Sequence, residues 1–133
     1  MRKISKIIIH CADTPEGKYF DIHDIRKWHV EERRWPDVGY HYVILLDGTI
    51  QLGRPLEIAG AHTRGFNSES IGICYIGGAD NVDTRTCEQK NTLNTLLSFL
   101  RLTFKDARVH SHSNFTTKKS CPSFDATNEY KNI

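Results

Sequence analysis

No long apolar run interrupts this sequence of 133 residues. After the basic start Met1-Arg2-Lys3-Ile4-Ser5-Lys6, the apolar stretch is only Ile7-Ile8-Ile9. That is too short for a signal-peptide core or a membrane span, so the expectation is a protein made soluble in the cytoplasm, with any export by another route. Strong charge is also missing. A net charge of +2 gives no argument for nucleic acid and allows only mild attraction to an anionic polymer. The four cysteines, Cys11, Cys74, Cys87 and Cys121, have the spacing of no small disulfide framework. Cys11 and Cys74 lie in apolar, strand-like runs and read as small buried hydrophobes. Internal repeats, low-complexity segments and linkers are absent too. With 38% hydrophobic and 26% charged residues, the chain fits one soluble domain over 1–133 with a real core.

The pattern that is present alternates strands and helices. Residues 4–11 form a β-branched run without turn residues, and Ala12 to Tyr19 read as a loop. Asp21 caps an expected helix over 22–33, where Ile22, Ile25, Trp28 and His29 follow helical spacing. A loop at Trp35–Gly39 leads to a hairpin, Tyr40–Leu46 and Thr49–Leu52 around Asp47-Gly48. A polar loop over 54–68 and a strand at 71–76 follow. Leu93, Leu96, Leu97 and Leu100 share one face of a helix expected over 87–104. Residues 108–112 read as a last strand, 113–117 as a loop, and the tail after Asp125 as holding a short helix. The expected fold is α/β, a single mixed central sheet flanked by helices.

Metal-ligating residues are scattered along this frame. His10 ends the first strand where the chain runs into a polar loop, the place where open sheets collect ligands. Period-2 alternation puts His110 and His112 on one face of the last strand, so either could reach a metal. Cys121 opens Cys121-Pro122. Two imidazoles and one thiolate fill three corners of a zinc tetrahedron and leave the fourth for water, the plan of a catalytic rather than a structural site. A His-Glu-x-x-His helix, which supplies a glutamate base in other metallopeptidases, is absent.

Motifs over residues 9–125 occur in a recognisable order. They include Ile9-His10-Cys11-Ala12-Asp13-Thr14, Ile25-Arg26-Lys27-Trp28-His29 and Trp35-Pro36-Asp37-Val38-Gly39-Tyr40-His41-Tyr42. Further on come Asp47-Gly48-Thr49-Ile50, Ala61-His62, Asn67-Ser68, Ser70-Ile71-Gly72-Ile73-Cys74 and Lys119-Ser120-Cys121-Pro122-Ser123-Phe124-Asp125. The set resembles the phage-type N-acetylmuramoyl-L-alanine amidases, phage lysozymes that cleave an amide rather than a sugar bond. It is more distantly similar to peptidoglycan recognition proteins.

The resemblance implies zinc (Zn2+) held by His10, His112 and Cys121, with Tyr40 and Lys119 as catalytic residues and His62 and Asn67 as substrate contacts. The family usually places its second histidine eight positions before the cysteine. Here His112 stands nine before Cys121 and His110 eleven, which favours His112 and leaves His110 as the alternative. His41 is expected to point away from the Tyr40 face, and His23, His29 and Trp28 to be structural. The implied activity is hydrolysis of the bond between N-acetylmuramic acid and L-alanine, an endolysin-like, bacteriolytic action on the wall after release or export. The implied partner is peptidoglycan or its muropeptides, met by a monomer without nucleic acid or membrane insertion. A non-catalytic wall-binding module or a regulatory protein of the same fold is the alternative. Loss of the cysteine ligand is the expected mark of the binding module, and Cys121 is present.

Overall fold

The computed structural model describes residues 1–117 and 120–133. Its centre is strand β1 (Lys6–Cys11), buried from Ile7 onward. A strand without an exposed face must be covered on both sides, as parallel strands in layered folds are. β1 pairs in parallel with β4 (Ser70–Tyr75) and β5 (Arg108–Ser111). β4 pairs in parallel with β2 (Tyr42–Ile44), and β2 pairs antiparallel with the edge strand β3 (Ile50–Leu52). The order β3-β2-β4-β1-β5 is one mixed sheet.

Alternation along the strands divides the core in two. Ile7, Ile9, Ile71, Ile73, Tyr75 and Val109 face helix α2 (Cys87–Thr103), which brings down Leu93, Leu96, Leu97 and Leu100. Each such aliphatic side chain contributes roughly 1.5–3 kcal/mol by leaving water. Thr86 and Gln89 close a capping box at the start of α2, and buried Gln89 also donates to the carbonyls of Ile44 and Ile76. On the opposite face Val43, Leu45, Cys74 and Ile76 meet Ile22 and Ile25 of α1 (Ile22–Arg26). Ile8 and His10 share this second face with Cys74, because His10 and Cys74 are register partners. None of the helices among the described residues is long and apolar enough to cross a membrane.

Three elements depart from the sequence reading. The helix expected over 22–33 is α-helical only to Arg26 and continues as a π-helical turn over Lys27–Glu32. The wider turn changes which side chains face inward. His29 is buried there, and its Nδ1 accepts the Gly39 amide at 2.8 Å. Gly39 lies so close to the Ala61 carbonyl that a Cβ would clash with it. The hairpin strands are shorter than expected, although the Leu45 amide to Thr49 and the Gly53 amide to His41 (both 2.9 Å) extend the pairing. Finally, β5 stops at Ser111, and His112–Phe115 turn as a 3-10 helix instead of an open loop. The Ser111 amide donates to Asn114 Oδ1 at 3.0 Å, which bends the chain just as the strand ends. A short helix α3 (Ala126–Glu129), capped by Asp125, follows.

Candidate metal centre

The carboxyl ends of β1 and β5 lie side by side, and three side chains meet there. His10 comes from the end of β1, and His112 is the first residue beyond β5. Cys121 arrives on the loop that returns past both. Its carbonyl accepts the Ser113 amide at 2.8 Å, and its sulfur accepts the Cys11 amide at 3.1 Å. Tyr75 Oη fixes the next residue through the Pro122 carbonyl at 2.6 Å, and Ser123 Oγ donates to Gly78 at 2.7 Å. The cross-strand register explains the histidine pairing. Ile9 faces Ser111, so His10 and His112 are brought level, with ring centroids 4.4 Å apart. His110 sits one pleat back, opposite Ile8, and its ring packs on Phe115 at 5.3 Å.

One nitrogen from each of His10 and His112 and the Cys121 sulfur lie within 4.8 Å of one another, a group that could hold one metal ion. Two imidazoles and a thiolate suit a borderline-soft cation such as zinc. The Cys121 sulfur accepts the Cys11 amide and offers a lone pair toward the two imidazoles. The donor set therefore fits zinc. Cys11 lies beside this sulfur, and hydrogen bonding between the two thiols shifts Cys11 down to about 7 while pushing Cys121 up.

Tyr40 borders the group, with its ring centroid 5.1 Å from that of His10 and 5.5 Å from that of His29. Burial, then the nearby cysteines, raise its hydroxyl well above the ordinary tyrosine range, so it stays protonated at neutral pH. His62 lies closer still. Its Nδ1 is 2.9 Å from His10 Nε2 and 2.9 Å from Thr63 Oγ1, and Thr63 Oγ1 itself is 3.4 Å from His10 Nε2. Burial, reinforced by neighbouring cationic groups, brings His62 down to about 3, so its ring is neutral. Gly72 makes room for it, since a Cβ there would run into the His62 ring. Asn67 sits behind, its Oδ1 accepting the amides of His62 and Thr63 at 2.9 Å each. Lys119 lies outside the described residues.

His10, His112, Cys121, Tyr40 and His62 are thus brought together, with Asn67 supporting the loop that carries His62. Thr63 joins them without having been singled out by sequence, whereas Cys11 and His29 are buried beside the group as the sequence reading of each expected. Only the position of Thr63 next to His62 offered a hint. His41 is buried among backbone groups, with Nδ1 accepting the Gly72 amide at 3.0 Å and Nε2 lying 2.8 Å from the Ile58 carbonyl. The four cysteines are free thiols.

Known proteins share this chain's sequence and fold. The endolysin of Enterobacteria phage K11 is 38% identical over 128 residues, covering 93% of this chain and 83% of that protein. Bumblebee peptidoglycan recognition protein PGRP-SA superposes with a TM-score of 0.83 at 27% identity, over 99% of this chain and 83% of the other. The amidase LysC from Clostridium intestinale does so with a TM-score of 0.83 at 26% identity, over 97% and 83%. A family profile described as N-acetylmuramoyl-L-alanine amidase matches residues 1–124, and the chain belongs to that family.

Proposed function

We propose that this protein hydrolyses the amide between the lactyl group of N-acetylmuramic acid and L-alanine in peptidoglycan, using zinc held by His10, His112 and Cys121. The observation that carries this reading is the convergence of those three donors within 4.8 Å in a chain of the amidase family. When bound, zinc supplies Lewis acidity and acidifies a water toward neutrality. The chain's own groups do the rest. Water adds to the amide carbon, charge develops on the carbonyl oxygen, and the C–N bond breaks as the alanine nitrogen leaves with a proton.

We assign Tyr40 the role of donor to the developing oxyanion, a reading supported by its protonated hydroxyl and by its ring lying against His10. Lys119 is assigned the second donor by its place in the family motif. His62 and Thr63 hold His10 through its Nε2, fixing which ring nitrogen is offered to the metal. Asn67 anchors the backbone of that pair, and the resemblance to the family assigns His62 and Asn67 to substrate contact.

Digestion of purified peptidoglycan followed by mass analysis tests the reading. New free L-alanine amines with intact glycan strands are expected. New reducing sugar ends would contradict it, and binding without any product would favour a wall-binding module.

A further inference from the structure

The sulfur of Cys121 has a neighbour for which the proposed hydrolysis has no use. Cys11 follows His10 directly, and its amide nitrogen lies 3.1 Å from Cys121 Sγ. Given the N–Cα bond length, that puts the Cys11 Cα within about 4.6 Å of the Cys121 sulfur, compatible with the close Cα spacing a disulfide requires. The Cys121 thiol also lies 3.8 Å from the Cys11 carbonyl. Their exposure is unequal. Cys11 is 7% exposed, whereas Cys121 is half-buried. The other two cysteines stand apart: Cys74 is fully buried beside Tyr40, and Cys87 is exposed at the start of α2.

We propose that Cys11 and Cys121 form an oxidisable pair, which a peroxide converts into a disulfide that withdraws the Cys121 sulfur from His10 and His112. The more exposed Cys121, once it has given up its proton, attacks a peroxide oxygen and breaks the O–O bond, giving a sulfenic acid and, with that proton, one water. The Cys11 thiol then displaces the hydroxyl as a second water and forms the S–S bond. Two thiols lose two electrons and two protons, and hydrogen peroxide is reduced to two waters. A thiol reductant reverses the step and restores the donor set. The consequence for metal binding rests on the role proposed above for Cys121. The disulfide itself rests only on the two cysteines.

The test uses the metal-free 133-residue chain carrying Cys87→Ser, treated with hydrogen peroxide, alkylated and digested without reduction. The expected product is lighter by two hydrogens and yields a linked peptide pair containing Cys11 and Cys121. It fails to bind zinc and recovers binding after dithiothreitol, while zinc-loaded protein forms the link more slowly. Cys11→Ser should bind zinc and form no link, its Cys121 passing on to sulfinic acid. Recovery of wild-type Cys121 as sulfinic or sulfonic acid, with Cys11 still open to alkylation, would overturn the inference. The unoxidised control separates the two readings. Zinc uptake without a link sinks the pair alone, and a link in protein that never binds zinc sinks the proposed metal centre alone.

Discussion

Two polar clusters hold the last stretch of the chain, and they are built on opposite plans. Around Arg85 everything is internally matched. Its guanidinium donates twice to Asp83, twice to Glu129 and once to Tyr130 Oη, all at 2.8–2.9 Å, so all five N–H groups are used. It also lies over the Phe124 ring at 3.4 Å. Cation, anions and ring complete one another, and nothing from outside is required. The cluster of His10, His112 and Cys121 gathers lone-pair donors toward one point instead, an arrangement whose natural complement is a cation. The first cluster is a fastening, and the second has the make-up of a receptor. Substitutions in each should fail in different ways.

The largest effect is expected at Cys121. Cys121→Ala should lose zinc and reduce wall hydrolysis to background, while the thermal midpoint of the metal-free protein moves by only a few degrees. Tyr40→Phe should keep zinc and fold yet slow hydrolysis by about 10²–10³-fold, mainly in kcat, since an oxyanion donor acts on charge present only in the transition state. A fully active Tyr40→Phe would remove Tyr40 from the mechanism. The contrast sharpens with Arg85→Ala, which leaves two carboxylates without their cation. The side chain of Arg85 is 2% exposed but its partners are partly solvated. The expected cost is therefore about 3 kcal/mol, a fall of about 10 °C in thermal midpoint, with zinc content unchanged. Loss of zinc in Arg85→Ala would mean that the fastening and the receptor are one device.

Acid should separate the clusters more gently. Burial opposes ionisation of Asp83, but hydrogen bonds and charge from Arg85 outweigh it, and an Arg85 hydrogen bond leads in lowering Glu129. A carboxylate lowered in the folded state stabilises the protein above its unfolded value, about 4, and loses that contribution as pH falls through the folded value. Thermal midpoints measured from pH 5 downward should therefore fall less steeply in Arg85→Ala than in the wild type. The smallest effect is expected at His110, which packs on Phe115. His110→Ala should keep its zinc and most of its activity, whereas His112→Ala should lose the metal.

The sheet was legible because its signals are strong: a run of β-branched residues in β1, four leucines on one face of α2, and Asp-Gly at the hairpin. The π turn was not, because Trp28 and His29 satisfy helical spacing whether the turn closes after four residues or five. Nor was the exit of His112 from β5, which depends on an Asn114 side chain folding back on Ser111. At the site, residue chemistry alone offered His10, Cys121 and either His110 or His112 as ligands, and only resemblance to a family favoured His112, since these residues are far apart and form no spacing motif. The closeness of His62 to His10 and of Cys11 to Cys121 joins residues 52 and 110 positions apart. Local pattern carries no trace of such contacts.

Elemental analysis of zinc in the purified wild type and in Cys121→Ala tests the central claim most directly. The account predicts close to one zinc per chain in the first and almost none in the second. Full metal content in Cys121→Ala would contradict it.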